Sequence, residues 1–174
     1  TITNDTLVEI DETVLFELSN PTGGAILGSQ PNAVLTIESD DATIEFSAPN
    51  YGITENFVTG SASITVRRVG FSGAPLSVDF RTRDLTATSG VDYQGQTNTL
   101  LFAVGERSKT FSIPVFDDSL VEGNETFEIA LSNIVPANAV LGLAIATVTI
   151  VDNDFSHGEL SFTSDNYPAS ESSG

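Results

Sequence analysis

Apolar residues fall at every second position through most of this chain. Leu76, Val78 and Phe80 alternate with polar neighbours, as do Phe111, Ile113 and Val115, then Phe127, Ile129 and Leu131, then Ala146, Val148 and Ile150. Ala62, Ile64 and Val66 form a similar run, and Leu100, Phe102 and Val104 another. A period of two places successive side chains on opposite faces of a strand, one face buried and one wet. Between the runs lie GFSGAP (70–75), ATSG (87–90), AVGE (103–106) and PANA (136–139), whose residue types close turns. Adding IEFS at 44–47 predicts seven short strands, and no stretch carries a 3.6-residue apolar stripe. Seven such strands within about 110 residues predict an all-β fold, an immunoglobulin-like antiparallel β-sandwich without the Cys and Trp marks of antibody domains. Arg67 and Arg68 interrupt the alternation of their run, which reads as a charged edge or a bulge.

The chain also repeats itself. NDTLVEIDETVLFELSN at 4–20 matches DDSLVEGNETFEIALSN at 117–133, and VLTIESDD at 34–41 matches TVTIVDND at 147–154; Asn20 and Asn133, like Ile37 and Ile150, are 113 positions apart. IEFSAPNYGITE at 44–55 matches LSFTSDNYPASE at 160–171 at an offset of 116. A fixed long period sets the domain count. Residues 42–154 are expected to form one complete module with its own core. Residues 1–41 would be the back part of a preceding copy, and 155–174 a linker and the start of a following one. Neither flank has the chain to bury a core alone, so each is expected to be disordered, packed on the module or completed by a neighbouring molecule.

Composition narrows the function classes. Against 24 Asp plus Glu stand 6 Lys plus Arg, a formal charge of −18 that repels phosphate backbones and anionic headgroups and attracts cations. Nucleic acid is therefore not an expected partner. No run approaches the roughly 18 apolar residues of a spanning helix, so no membrane insertion is expected of this stretch. The absence of Cys excludes disulfides, thiolate metal sites and cysteine nucleophiles.

Where the acids fall matters more than their number. Asp117, Asp118, Glu122 and Glu125 fill the link between two strands, and Asp152 and Asp154 follow the last one. Loops after alternate strands of a sandwich gather at one end, so these groups can converge there, with Glu55 and Asp84 in reach. Such a set repels itself unless a cation sits among it. Ca²⁺, which takes six to eight oxygens in flexible geometry, suits a loop-built site better than Mg²⁺.

DDSLVEGNETFEIALSN, TVTIVDND, FSAPNYGITE and RTRDLTATSGVDY, in this order, resemble a Calx-beta module, the repeat of sodium/calcium exchangers, integrin beta-4 and many bacterial surface proteins. The resemblance spans 42–154 and covers the flanks as partial copies. It implies a seven-stranded sandwich that holds calcium at one tip through Glu55, Asp84, Asp117, Asp118, Glu122, Glu125, Asp152 and Asp154. Two positions depart from the exchanger pattern: Ser119 stands where a third acid is expected, and Asn153 where the middle acid of the closing run is. Each loses a charge and keeps an oxygen. The resemblance further implies adjacent Calx-beta repeats as partners, homotypic or host-protein contact through the flanking half-modules, and an extracellular or cell-surface location, the alternative being a cytoplasmic domain of a membrane protein.

Any single one of these acids also reads as an ordinary turn residue, since Asp and Asn side chains bond local backbone. In that alternative the chain is a calcium-independent spacer or adhesion module with an acidic surface. The first partial copy keeps Asp5, Glu9, Glu12, Asp40 and Asp41 but lacks the front half a complete site needs. His157 reads as a solvated linker residue, and Tyr93 as a packed ring whose hydroxyl bonds nearby. Enzyme activity is not expected: there is no thiol, no histidine beside a nucleophile, no G-x-S-x-G elbow and no phosphate loop.

Overall fold

The alternating runs become strands in a computed structural model that describes residues 2–55, 60–154 and 162–163. Eleven strands and no helix occur among the described residues: β1 Glu12–Glu17, β2 Asn32–Ile37, β3 Ala42–Phe46, β4 Asn50–Thr54, β5 Ser61–Gly70, β6 Leu76–Asp84, β7 Thr97–Phe102, β8 Ser108–Pro114, β9 Glu125–Val135, β10 Ala139–Leu141 and β11 Ile145–Val151. Two sheets, ordered β10-β3-β5-β8 and β4-β11-β9-β6-β7, face each other, and β1 and β2 make a separate hairpin. His157, Leu160 and the match at 160–171 lie outside the described residues apart from Phe162 and Thr163.

The two inner faces supply the core, with Ile44, Phe46, Ile64, Val66 and Ile113 from one sheet and Val78, Phe80, Phe102, Phe127, Ile129 and Val148 from the other. Of the residues expected to face inward, Leu100 and Phe111 are half-buried, and Phe111 stacks on Phe80 at 4.0 Å between ring centroids. Val104 departs from the expectation. Its strand ends at Phe102, and the 103–106 turn, where Glu106 accepts from the Ala103 N–H at 2.9 Å, leaves Val104 exposed.

Residues 42–154 hold nine strands where the alternation predicts seven. Pro49, which has no N–H to give a ladder, splits the opening strand. β3 stays with one sheet, β4 crosses to the other, and the Pro49 carbonyl accepts from Thr147 N–H at 2.9 Å. The second extra strand, β10, is three residues long, too short to show a period. Both additions make parallel pairs, β4 with β11 and β10 with β3, at the margins of an otherwise antiparallel sandwich.

The arginine pair does not mark an edge. β5 is flanked by β3 and β8, and its alternation continues, so Arg68 takes an inward position and is only 4% exposed. Its guanidinium donates to the Phe71 and Ala74 carbonyls at 2.7 and 2.8 Å, which fastens the β5–β6 turn. Arg67, on the wet face, pairs with Glu45 at 3.2 Å. Gly70 follows at φ +84°, where a β-carbon would strike the Asp41 carbonyl and Val8. Arg68→Met is expected to orphan both carbonyls and cost about 2–3 kcal/mol in urea unfolding, whereas Arg67→Met should cost under about 1 kcal/mol. Equal losses for the two would refute this account of the turn.

Candidate metal centre

β4, β6, β8 and β11 all end on the same side of the sandwich, and the acids sit where those strands run out. Glu55 follows β4, Asp84 closes β6, Asp117 and Asp118 follow β8, Glu122 and Glu125 lead into β9, and Asp152 and Asp154 follow β11. The loop at 117–124 owes its shape to short-range bonds. Asp118 Oδ1 accepts from Leu120 N–H at 2.7 Å in an Asx turn, and Gly123 turns at φ +82°. Asp152 then ties the loop to the exit of β11: its Oδ2 accepts from the N–H groups of Glu122 and Gly123 at 2.9 and 2.7 Å, and its Oδ1 from Asp154 N–H at 2.8 Å. These N–H groups, that of Gly123 first, hold the Asp152 carboxyl below the usual range.

Two groups of three carboxylates form, each with one oxygen per residue mutually within 4.8 Å: Glu55, Asp152 and Asp154, and Asp92, Glu122 and Glu125. The groups adjoin, since Asp118 and Asp152 both push up Glu55 and Glu122 after the larger effect of burial. Burial likewise comes first in raising Asp154, followed by Asp152, Asp117 and Asp118. Glu125 is pushed up to about 7, by burial and then by a carboxyl–carboxyl hydrogen bond with Asp92. None of the ion pairs among the described residues, Arg67–Glu45, Arg83–Glu128 and Lys109–Glu106, reaches this end. Asp154 Oδ2 is buried without a hydrogen-bond partner.

The remaining expected ligands are placed differently. Asp117 accepts from Asn153 Nδ2 at 3.3 Å, and the same amide nitrogen donates to the Glu55 carbonyl. Asn153 therefore meets the cluster as a donor, where the sequence suggested an added oxygen. Asp84 stands outside both triads. Its Oδ1 accepts from Tyr93 Oη at 2.5 Å and from Ser89 N–H at 3.1 Å. Burial, followed by this bond, raises the Tyr93 hydroxyl to about 12, and the ring is fully buried against Phe127 at 4.0 Å. Asp84 thus seats the loop that carries Asp92, whose carbonyl accepts from Phe116 N–H at 2.9 Å and whose Oδ2 accepts from Thr88 N–H at 2.6 Å. Asp92 was not among the expected ligands. The signal was present: it lies in the same RTRDLTATSGVDY segment, one residue before the tyrosine that turns inward.

An all-oxygen, partly buried anionic end with one orphaned carboxylate oxygen offers donors of the kind a hard divalent cation takes. The family model described as Calx-beta domain matches residues 38–154, and the chain belongs to that family. It is 35% identical over 164 residues to Extracellular matrix protein 3 of Lytechinus variegatus, covering 89% of this chain and 5% of that one. Among solved structures, the apo-form Calx CBD1 domain is 34% identical with a TM-score of 0.61, covering 65% of this chain and 98% of its own. The calcium binding domain CBD12 of CALX1.1 is 35% identical with a TM-score of 0.58, covering 64% and 46%. The chain spans between 3% and 18% of the lengths of curated relatives it matches.

The raised carboxyls carry a pH dependence. A glutamate at 4.5 in the unfolded chain and about 7 in the folded one keeps a proton on folding throughout that window. Its stabilising contribution is thus complete below 4.5 and lost as pH rises through 7. Glu55, Glu122 and Asp154 shift in the same direction, and the lowered Asp152 acts only below the ordinary carboxylate range. In chelator, the thermal midpoint should fall between pH 5 and pH 8, and Glu125→Gln should flatten the fall. A midpoint that is constant or rises over that interval would contradict the assignment.

Proposed function

We propose that the acidic end of the 42–154 sandwich binds calcium and that the chain acts as a binding and linking module rather than as a catalyst. The observation that carries this reading is the pair of adjoining carboxylate triads, which no ion pair among the described residues neutralises. Glu55, Asp152 and Asp154 would hold one ion and Asp92, Glu122 and Glu125 another, with Asp118 between them and Asp117 beside Asn153. Calcium supplies the positive charge this end lacks, and the flexible bond lengths of a loop-built shell favour it over magnesium. Asp84 serves the site indirectly, through Tyr93 and the Asp92 loop. The similarity to the calcium binding domain CBD12 of CALX1.1 supports the same chemistry.

The acids come from four separate stretches of chain, so an ion among them would stiffen the end of the module that Asp154 closes. Adjacent repeats of the same kind are the natural neighbours there. The similarity to Extracellular matrix protein 3 supports an extracellular or cell-surface setting.

Calcium titration calorimetry and melting test the reading together. A ligand of the folded state alone raises stability by RT ln(1 + [L]/Kd), so millimolar calcium should raise the thermal midpoint over that in chelator. Asp118→Asn combined with Asp154→Asn should weaken binding by about tenfold or more and leave the calcium-free midpoint unchanged or higher, because less repulsion remains. A wild-type chain that takes up no calcium at millimolar concentration, or a double variant that binds equally well, would leave the acids as surface charge on a spacer.

A further inference from the structure

The stretch ahead of the module does not trail from it; it ends on it. Asp5 Oδ1 accepts from Leu7 N–H at 2.8 Å, Ser39 Oγ from Glu9 N–H at 3.4 Å and Asp11 Oδ1 from Ser39 N–H at 3.2 Å, so residues 5–11 are tied to residues 39–41. Residues 39–41 are tied in turn to two loops at the base of the sandwich. The Asp40 carbonyl accepts from Asn138 Nδ2 at 2.7 Å, and the Asp40 carboxylate lies 3.5 Å from the same nitrogen. The Asp41 carbonyl accepts from Phe71 N–H at 2.8 Å, and Asp41 is only 5% exposed. Val8 closes the contact from the other side. Its two methyl groups lie 2.5 and 3.2 Å from the point where a β-carbon on Gly70 would stand, so the room it fills exists because residue 70 is a glycine.

Counterparts in the internal repeat show what this contact covers. Val8 corresponds to Val121, and Leu7 to Leu120. Val8 is 37% exposed against 56% for Val121, whereas Leu7 and Leu120 differ little, at 62% and 59%. The base of the module therefore shields one side chain of the earlier copy's loop and passes over its neighbour. Asp41, the counterpart of Asp154, is also the residue that immediately precedes β3. No residue is left between the two copies to serve as a hinge. The module's side of the contact is fixed independently. Arg68 holds the Phe71 and Ala74 carbonyls, and Arg107 Nη1 donates to the Gly70 carbonyl at 2.9 Å.

We propose that Gly70, the Phe71 N–H and Asn138 form a seat for the closing end of a preceding Calx-beta copy, and that this seat sets the direction between consecutive copies. The partner it fits presents two successive backbone carbonyls and one small apolar side chain. Because its short bonds go to carbonyls and not to carboxylates, the seat acts with or without calcium. Each module is thereby aimed by the base of the next.

Residual dipolar couplings of the full chain in chelator test the proposal. The amides of β1 and β2 should fit the alignment of the sandwich amides, because a seated end and the module turn as one body. Val8→Ser combined with Asn138→Ala removes the apolar contact and the side-chain donor, and should reduce the β1–β2 couplings by about half or more while those of the sandwich stay as they were. Leu7→Ser should leave both sets unchanged. Asn138→Ala alone leaves residues 1–41 untouched, should give a smaller reduction in the same direction, and decides the matter where the double variant loses its hairpin. Hairpin couplings averaged to near zero in the unaltered chain, couplings that both Asn138 variants leave intact, or a Leu7→Ser effect as large as that of the double variant would overturn the proposal. So would couplings that fit the sandwich only once calcium is added, since the ion would then set the direction. Couplings that fit in chelator support the seat whether or not the acids take up calcium.

Discussion

The constraint on which this structure depends is that two sheets must bury one face each against the other, which keeps the acids off the inner faces and leaves the loops at the strand ends free to gather them. Alternate residues along β5 and β11 and along the central stretches of β6 and β9, with Phe111 and Ile113 of β8, are committed to the core. The same commitment fixes the directions in which the chain leaves those strands, so loops far apart in sequence are delivered to one end. Stability and ion chemistry are thereby separated in space. The sandwich can carry an anionic end that opposes folding because the apolar contacts that favour folding lie elsewhere.

Within that end, backbone N–H groups are the counter-charge the chain itself supplies. Asp152 accepts from three of them, which explains why its carboxyl is held low while those of Glu55 and Asp154 are pushed up. Asn153 adds a neutral donor between Asp117 and the Glu55 carbonyl at a position where another acid would have increased the repulsion. The result is a framework tied together by its own backbone N–H groups in which the carboxylates of two triads still lie close together.

The legibility of the chain follows from the same physics. Strands with one buried face announced themselves by alternation, and the core residues of β6, β9 and β11 could be named from it. β4 and β10 could not: one has only Tyr51 and Ile53 at inward positions, and the other spans a single alternation. Arg68 was misleading because residue type stood in for position. Its place in the alternation was inward all along, and its hydrogen bonds to two turn carbonyls are a tertiary matter that no periodicity reports. At the site, the acids of the 117–125 and 152–154 segments were legible as runs. Asp84 and Asp92 were not separable from sequence, because the difference between them is which one faces Tyr93 and which faces Glu125.

The crossing of the opening strand at Pro49 has a mechanical consequence. The chain enters the module at the start of β3 and leaves it at the end of β11, at opposite ends of the sandwich. Tension between those points pulls β4 and β11 past one another lengthwise. Because the two run parallel over five residue pairs from Asn50–Thr147 to Thr54–Val151, their hydrogen bonds are loaded side by side in shear and cannot be peeled one at a time. A short edge pairing is therefore the element placed to resist a pull along the chain.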